Sequence, residues 1–335
     1  MRRILVMVMV MVAVWIAGGG SAQAAEPLVL QLKWLTQTQF AGYYVAAAKG
    51  FYRDAGLAVM IKPGGPKLDP SEELAAGRAD VAVNWMAPAL AEREQGKPLV
   101  NIAQIFHRSG MMLTCRRDSG VRRPEDLKGK TLGVWFAGNQ YPFLAWMAKL
   151  AFSTEGANPD VHVLKQGAGV GPLVNREAAC ISTMSYNEYW RVLDAGLKPT
   201  DLTLFRYEDL GVATLEDGLY TTEAKLADPA MRDRLARFVR ASAQGWQYTL
   251  AHPHEAVDIV MHVGSNRPLE IRHQSRMLGE VDKLIGGNAR GIGYLEPAAY
   301  ERTVDVLRSA PIDPVIRQKP QGAWTHDVWD KAAGG

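Results

Sequence analysis

Aromatic rings and side-chain amides gather at one kind of position in this chain, the predicted ends of strands. The rings are Trp34, Trp85, Trp135, Tyr141, Tyr186 and Tyr189. Among them lie the amides Gln37, Gln39, Asn84, Asn139, Gln140 and Asn187 and one carboxylate, Glu188. Flat walls with a few aimed polar groups suit a planar heterocycle. Stacking contributes ~0.5–1.5 kcal/mol per ring pair beyond area burial, and amides or a carboxylate read the donors and acceptors of the ring. Any one tryptophan is as readily a core residue as a binding wall, but core packing alone explains a whole set at strand ends less well. A second chemistry competes. Arg108 and the helix starts near Gln39 and Pro142 could hold an anion such as a sulfonate or nitrate. Arg108 fits a surface charge at a hinge somewhat better.

Catalytic constellations are not evident. His107, His162, His252, His254, His262, His273 and His326 are dispersed, and the close pair His252 and His254 flanks Pro253 at a helix boundary. HExxH and a G-x-S-x-G elbow are absent from the sequence, and no paired carboxylate reads as catalytic. The stretch from Gly167 to Gly171 is glycine-rich but lacks G-x-G-x-x-G spacing and reads as a turn. Cys115 and Cys180 show no metal-ligand spacing. The residues therefore point to no catalytic group, no metal and no cofactor.

The elements that position the rings follow from periodicity. Leu28, Leu30, Leu32 and Trp34 alternate with Val29, Gln31 and Lys33, an opening strand. Phe40, Tyr44, Ala47 and Phe51 recur at helical spacing after a candidate N-cap, Thr38, and Phe40 and Tyr44 read as core. Strands are expected at 57–62, 80–83 and 99–104. Between them lie a helix capped by Asp69, with Pro70 first and Glu72 completing a capping box, and a helix over 87–95 stopped by Gly96. This βαβαβαβ grammar describes a parallel sheet with helices on both faces. It restarts after residue 110, with strands at 110–116, 131–135, 162–165 and 180–183 and helices at 142–152 and 185–195. Segments 200–205 and 219–222 are extended, and 229–250 and 296–308 are helical. The fold class is α/β, two doubly wound lobes with a hinge and an interlobe cleft. Lobe I takes residues 25–109 and 206–335, and lobe II takes 110–205.

The chain has 335 residues and a formal charge of +3. Its first 24 residues read as an export signal: Arg2 and Arg3, an apolar run from Ile4 to Ala17, and a small-x-small site at Ala22, Gln23 and Ala24. Gly18, Gly19 and Gly20 interrupt the run where a membrane span would continue. Cleavage near Ala24 would remove two arginines and leave a nearly neutral chain, which argues against nucleic acid as a partner. A soluble, exported, periplasmic protein is expected. Export would permit a disulfide between Cys115 and Cys180, although their apolar neighbours (Met111, Met112 and Leu113; Ala178 and Ala179) favour buried free thiols.

These residues also carry a resemblance. The runs Leu32–Trp34, Gln39–Ala46, Lys49–Tyr52 and Gly56–Leu57 resemble the opening of the periplasmic binding proteins for sulfonates, nitrate and thiamine-pyrimidine precursors. Leu74–Val81 is similar to that family's second helix and third strand. Asp126–Lys130 with Gly133 and Val134 is similar to its entry into the second lobe, a turn shared by many binding proteins. The likeness runs from about residue 28 to about residue 260. It implies a type II periplasmic binding protein, a monomer that delivers a small solute to an ABC permease in the inner membrane. Gln39–Tyr44, Trp135–Asn139 and Met184–Glu188 look nearest the branch that carries a thiamine pyrimidine precursor or a flavin-like compound. Carried over residue by residue, the resemblance implies Trp34 and Tyr43 near the ligand and Trp85 lining lobe I. It implies Asn139 and Tyr141 in lobe II, and Glu188 facing a ring nitrogen or amine. Thiamine-pyrimidine synthases share the fold and are the alternative, as is an anion receptor. At the positions where the synthases use a lysine and a histidine this chain has Asn84 and Pro88, and it lacks their cysteine cluster.

Overall fold

Ten strands follow one another among the described residues: β1 (Glu26–Gln31), β2 (Leu57–Lys62), β3 (Val81–Asn84), β4 (Leu99–Gln104), β5 (Met111–Arg116), β6 (Thr131–Val134), β7 (His162–Lys165), β8 (Cys180–Met184), β9 (Leu202–Arg206) and β10 (Gly218–Thr222). The computed structural model describes residues 24–264, 269–310 and 314–334. The leader assigned to residues 1–24 lies, apart from Ala24, outside them. The strands form two five-stranded sheets, ordered β2-β1-β3-β10-β4 and β7-β6-β8-β5-β9. Helices flank both, so the α/β class and the two-lobed plan hold.

Neither sheet is wholly parallel. β1 runs parallel to β2 and β3, whereas β10 is antiparallel to both β3 and β4. β6 runs parallel to β7 and β8, whereas β5 is antiparallel to β8 and β9. The reversed strands are the two that the chain enters from the other half: β5 follows the crossing 105–110 and β10 follows the crossing 207–217. Strands reached through a helix on the same sheet keep its direction; a strand entered from outside need not.

The core sets the positions of the strand ends. Leu28, Leu30, Val81 and Val83 are fully buried, and each such side chain contributes ~1.5–3 kcal/mol relative to exposure. The helix Ala41–Ala48 crosses the long helix Pro229–Ala251 where both carry glycine. A Cβ on Gly42 would collide with the Trp246 ring, and one on Gly245 would meet the Gly42 carbonyl. Bare backbones let the helices approach and seat the fully buried Trp246.

Three local expectations are corrected. Thr38 does not cap the helix through its side chain; its hydroxyl donates to the Gln274 carbonyl at 2.8 Å, tying this turn to the helix Ile271–Ile285. Glu72 forms an ion pair with Lys97 at 2.6 Å, and the cap of its helix comes from Asp69 accepting the Ser71 N–H at 2.9 Å. Cys115 and Cys180 are joined in a disulfide rather than left as free thiols. They face each other in the β5–β8 register, with Cα atoms 3.9 Å apart. Their apolar neighbours are explained by the central position of both strands.

Candidate binding site

The first half presents polar side chains where β1 and β3 end. β3 stops at Asn84, and Trp85 leads into the helix Met86–Glu94. Asn84 is buried; its Oδ1 accepts the Trp85 backbone N–H at 2.8 Å and the Lys33 ammonium at 3.1 Å. Its Nδ2 donates to Ser71 Oγ at 2.9 Å. The Lys33 ammonium lies 5.0 Å from the centre of the Trp85 ring, a cation–π geometry worth ~0.5–2 kcal/mol. Burial lowers the Lys33 pKa, and the charge of Asp217 opposes this.

The pairing of Gly218 with Asn84 brings Asp217 to the same strand end. The Asp217 carboxylate accepts Trp85 Nε1–H on Oδ1 and Gln39 Nε2–H on Oδ2, both at 2.8 Å. Gln39 Oε1 accepts Gln37 Nε2–H at 2.7 Å. Gln37, Gln39, Trp85 and Asp217 are all buried. Burial raises the Asp217 pKa to about 6, against the lowering effect of the Gln39 and Trp85 hydrogen bonds and the Lys33 charge. Its φ of 28° lies in the left-handed region, which aspartate tolerates better than most residues. The neighbouring Glu216 holds the other crossing: its Oε1 accepts from Ser109 Oγ (2.6 Å), Gly110 N–H (3.0 Å) and Met111 N–H (3.2 Å). Burial and the Asp217 charge push the Glu216 pKa up to about 8, although its hydrogen bonds oppose this.

The second half meets this cluster with a looser wall. Trp135 directly follows β6, half-buried, and donates its indole N–H to the Gly167 carbonyl at 3.2 Å. Asn139 donates Nδ2 to the Phe136 carbonyl at 2.8 Å, and its buried Oδ1 has no partner. At Gly138, with φ 89°, a Cβ would lie 2.5 Å from the Pro88 Cβ, so the two halves touch there. Tyr141 packs against an apolar cluster of the first half that includes Met86, Ala87 and Leu90. On the other flank, Asp194 pairs with Arg272 (2.8 Å) and Arg276 (2.9 Å) of the helix Ile271–Ile285. His273 Nε2 lies 2.8 Å from Asn187 Oδ1.

The residues singled out in the sequence divide accordingly. Gln39, Asn84 and Trp85 form one connected cluster. Trp34 lies beyond the end of β1, half-buried beside the core. Trp135, Asn139 and Tyr141 lie on the facing segment of the second half. Tyr43 is a core residue: it is 1% exposed, with its ring edge-on to Trp246 at 5.7 Å. Tyr43 Oη and Trp246 Nε1 influence each other, but neither completes a well-aligned hydrogen bond. Tyr186 is buried edge-on to Phe106 at 6.1 Å. Glu188 is engaged within its own turn, with Oε2 accepting the Met184 N–H (3.0 Å) and Oε1 accepting Asn187 Nδ2–H (2.7 Å). Burial raises its pKa. These bonds close the turn from β8 into the helix Glu188–Asp194 and replace the ring-reading role that the resemblance implied.

Asp217 and Lys33 escaped the sequence reading. The available signal for the first was the acidic pair Glu216–Asp217 immediately before a buried strand. A cavity of about 660 Å³ also lies beside the crossings, between Ala145, Lys149, Val212, Ala299 and Arg302. Ser109 and His107 reach it, but none of the strand-end rings, amides or acids described above lines it. Its lining mixes alanines and valines with charged and hydroxyl side chains such as Lys149, Glu208, Arg302 and Asp305; the aromatic and amide groups that suit a heterocycle converge instead at the strand-end cluster, which is the better candidate site.

Two mixed sheets joined by two crossings, with polar strand ends facing across the junction, define the periplasmic-binding-protein fold. The alkanesulfonate-binding protein SsuA of Xanthomonas axonopodis pv. citri, solved with MOPS, superposes with a TM-score of 0.61 at 16% identity over 84% of this chain and 91% of its own. The chain belongs to the NMT1/THI5-like family, whose profile matches residues 37–256. A formylaminopyrimidine-binding protein of Halalkalibacterium halodurans is 25% identical over 243 residues, 71% of either chain. The riboflavin-binding protein RibY of Chloroflexus aurantiacus is 24% identical over 302 residues, 86% of this chain and 83% of its own. A 4-amino-5-hydroxymethyl-2-methylpyrimidine phosphate synthase of Candida albicans is 24% identical over 246 residues, 70% of either chain.

Proposed function

We propose that this protein is the exported solute receptor of an ABC importer. It closes its two lobes on a planar heterocycle, such as a thiamine pyrimidine precursor or a flavin-like compound, and passes it unaltered to a membrane permease. The observation that carries this reading is the Trp85 indole, held at the strand end by Asp217, Asn84 and Lys33 opposite a second aromatic segment from the other half. An aromatic wall with amides beside it favours a flat ring over an anion. The buried Asp217 carboxylate, ionised above its pKa of about 6 and partly offset by Lys33, adds a field that disfavours a sulfonate or nitrate. The names of the pyrimidine-binding and riboflavin-binding relatives agree. In this reading Trp34, Gln39, Asn84 and Trp85 contribute from lobe I and Trp135, Asn139 and Tyr141 from lobe II, with lobe boundaries near residues 109 and 206.

Native mass spectrometry of protein taken from periplasm, with identification of the released compound, tests this. A bound heterocycle supports it; a bound sulfonate or nitrate contradicts it. The synthase reading has one observation in its favour. Although Asn84 stands where the enzymes use a lysine, the Lys33 ammonium lies 3.1 Å from Asn84 Oδ1, and burial lowers its pKa. Incubation with pyridoxal phosphate and borohydride separates the two. A covalent adduct on Lys33 would favour the enzyme, and an unmodified lysine the receptor.

A further inference from the structure

We infer that Asp217 is the positioning residue of the site: its carboxylate fixes the orientation of the Trp85 indole and the direction of the Gln37–Gln39 amide chain, and so sets which ring edges the site accepts. The inference deepens the proposed function and rests on it for the identity of the ligand, but not for the geometry. Asp217 is 2% exposed, and both its oxygens are used, one by each donor. An indole N–H can only donate. A carboxylate on that side therefore admits one placement of the ring, and Asn84, holding the Trp85 backbone N–H, fixes the other end.

The amide chain is ordered by the same group. Because Oδ2 only accepts, Gln39 must point its Nε2 at Asp217, which turns its Oε1 toward Gln37. Without that acceptor the two glutamines could both reverse, exchanging donor for acceptor along the site. Asp217 cannot drift, because the adjacent Glu216 is bound to the first crossing through Ser109, Gly110 and Met111. The cluster is thus anchored at the junction of the two lobes.

Protonation gives a second handle. A neutral Asp217 carries a proton of its own and keeps only one oxygen as a good acceptor, so one of its two donors loses its partner. The charged or titratable groups within reach of it are Lys33, Glu216, Tyr43 and Tyr186. Lys33 favours the ionised form; Glu216 disfavours it when ionised. Burial raises both tyrosine pKa values well above the ordinary range, which keeps those rings neutral.

The test uses the full exported chain with ¹⁵N-labelled tryptophan. The Trp85 indole N–H resonance, assigned by its loss in Trp85→Phe, is followed from pH 4 to pH 8. Expected is a transition that persists in Glu216→Gln and vanishes in Asp217→Asn. A resonance indifferent to pH and to Asp217→Asn would overturn the inference, and this measurement needs no ligand. Riboflavin and 4-amino-5-hydroxymethyl-2-methylpyrimidine then serve as probes by calorimetry. For whichever binds, Asp217→Ala should weaken affinity about 30-fold or more. Asp217→Asn should weaken it less and abolish its pH dependence. Equal affinity in the wild type and Asp217→Ala would likewise overturn the inference. If neither probe binds the wild type while the indole resonance still reports Asp217, the ligand class fails and the positioning role stands.

Discussion

The two halves meet at one junction but prepare for it differently. The first arrives with its polar groups already joined: Trp85, Gln39, Gln37, Asn84 and Lys33 are connected through side-chain hydrogen bonds, two of them ending on Asp217. The second offers Trp135 half-buried and Phe136 39% exposed, tethered mainly by hydrogen bonds from Trp135 and Asn139 to nearby carbonyls. Their stiffness also has different sources. The first sheet leans on a long helix packed glycine to glycine, while the second sheet has a covalent cross-link between central strands. The difference suggests a division of labour in which one half selects and the other covers.

That contrast can be broken or sharpened by experiment. The largest effect should follow loss of the cross-link. The cysteines are 65 positions apart, and on a loop-closure account replacing both by serine costs about 4 kcal/mol. Denaturant unfolding reads this directly, and a loss below ~1 kcal/mol would mean that the second half does not depend on its staple. Next comes Trp85→Ala, which removes the wall and strands Asp217; a heterocycle should bind about 100-fold more weakly. Trp135→Ala should cost only about 5-fold by the same calorimetry. The reverse order would refute the division of labour.

A smaller effect concerns pH. Glu216 has a folded pKa near 8, above its unfolded value, so its contribution is present in acid and lost as pH rises through the folded value. Below pH 6.5 the trend is opposed, because burial lowers His107 to about 4 and also lowers His273. The clear window is pH 6.5–8, over which unfolding stability should fall by ~2 kcal/mol. Glu216→Gln should flatten it, and a rise in stability over that window would contradict the assignment. Smallest is Gly138→Ala, whose new Cβ meets Pro88 across the junction. It should weaken ligand binding about threefold and enlarge the liganded particle in small-angle scattering. An unchanged particle would show that this contact does not limit closure.

Much of the scaffold was legible because its signals are local. Alternation gave most strands to within a residue or two, and Asp69 with Pro70 announced its helix start. The antiparallel sense of β5 and β10 was not legible, because direction depends on where the chain comes from rather than on its side chains. The disulfide was hidden for the same reason: facing positions on two central strands look like any other buried apolar site. At the candidate site, the strand-end reading picked out Trp85, Gln39 and Asn84, which the structure joins in one hydrogen-bonded cluster. Tyr43 entered only through the resemblance, and its place in the core beside Trp246 was not legible, because a tyrosine one position from a core tyrosine looks equally able to face either way. Asp217 was missed because its importance comes from β10 slotting beside β3, a pairing across more than a hundred positions.

That slot has a consequence for how the protein is made. With β10 lying between β3 and β4, a ribosome that has produced everything up to β9 has produced a sheet with a gap in its middle. The inserted half must bring its two ends together before the last strand can fill the space, so the earlier-born lobe is the later one to finish. Folding should be limited by this long-range step, and a chain ending near residue 205 should display an unfilled groove that a peptide bearing residues 218–222 would compete to occupy.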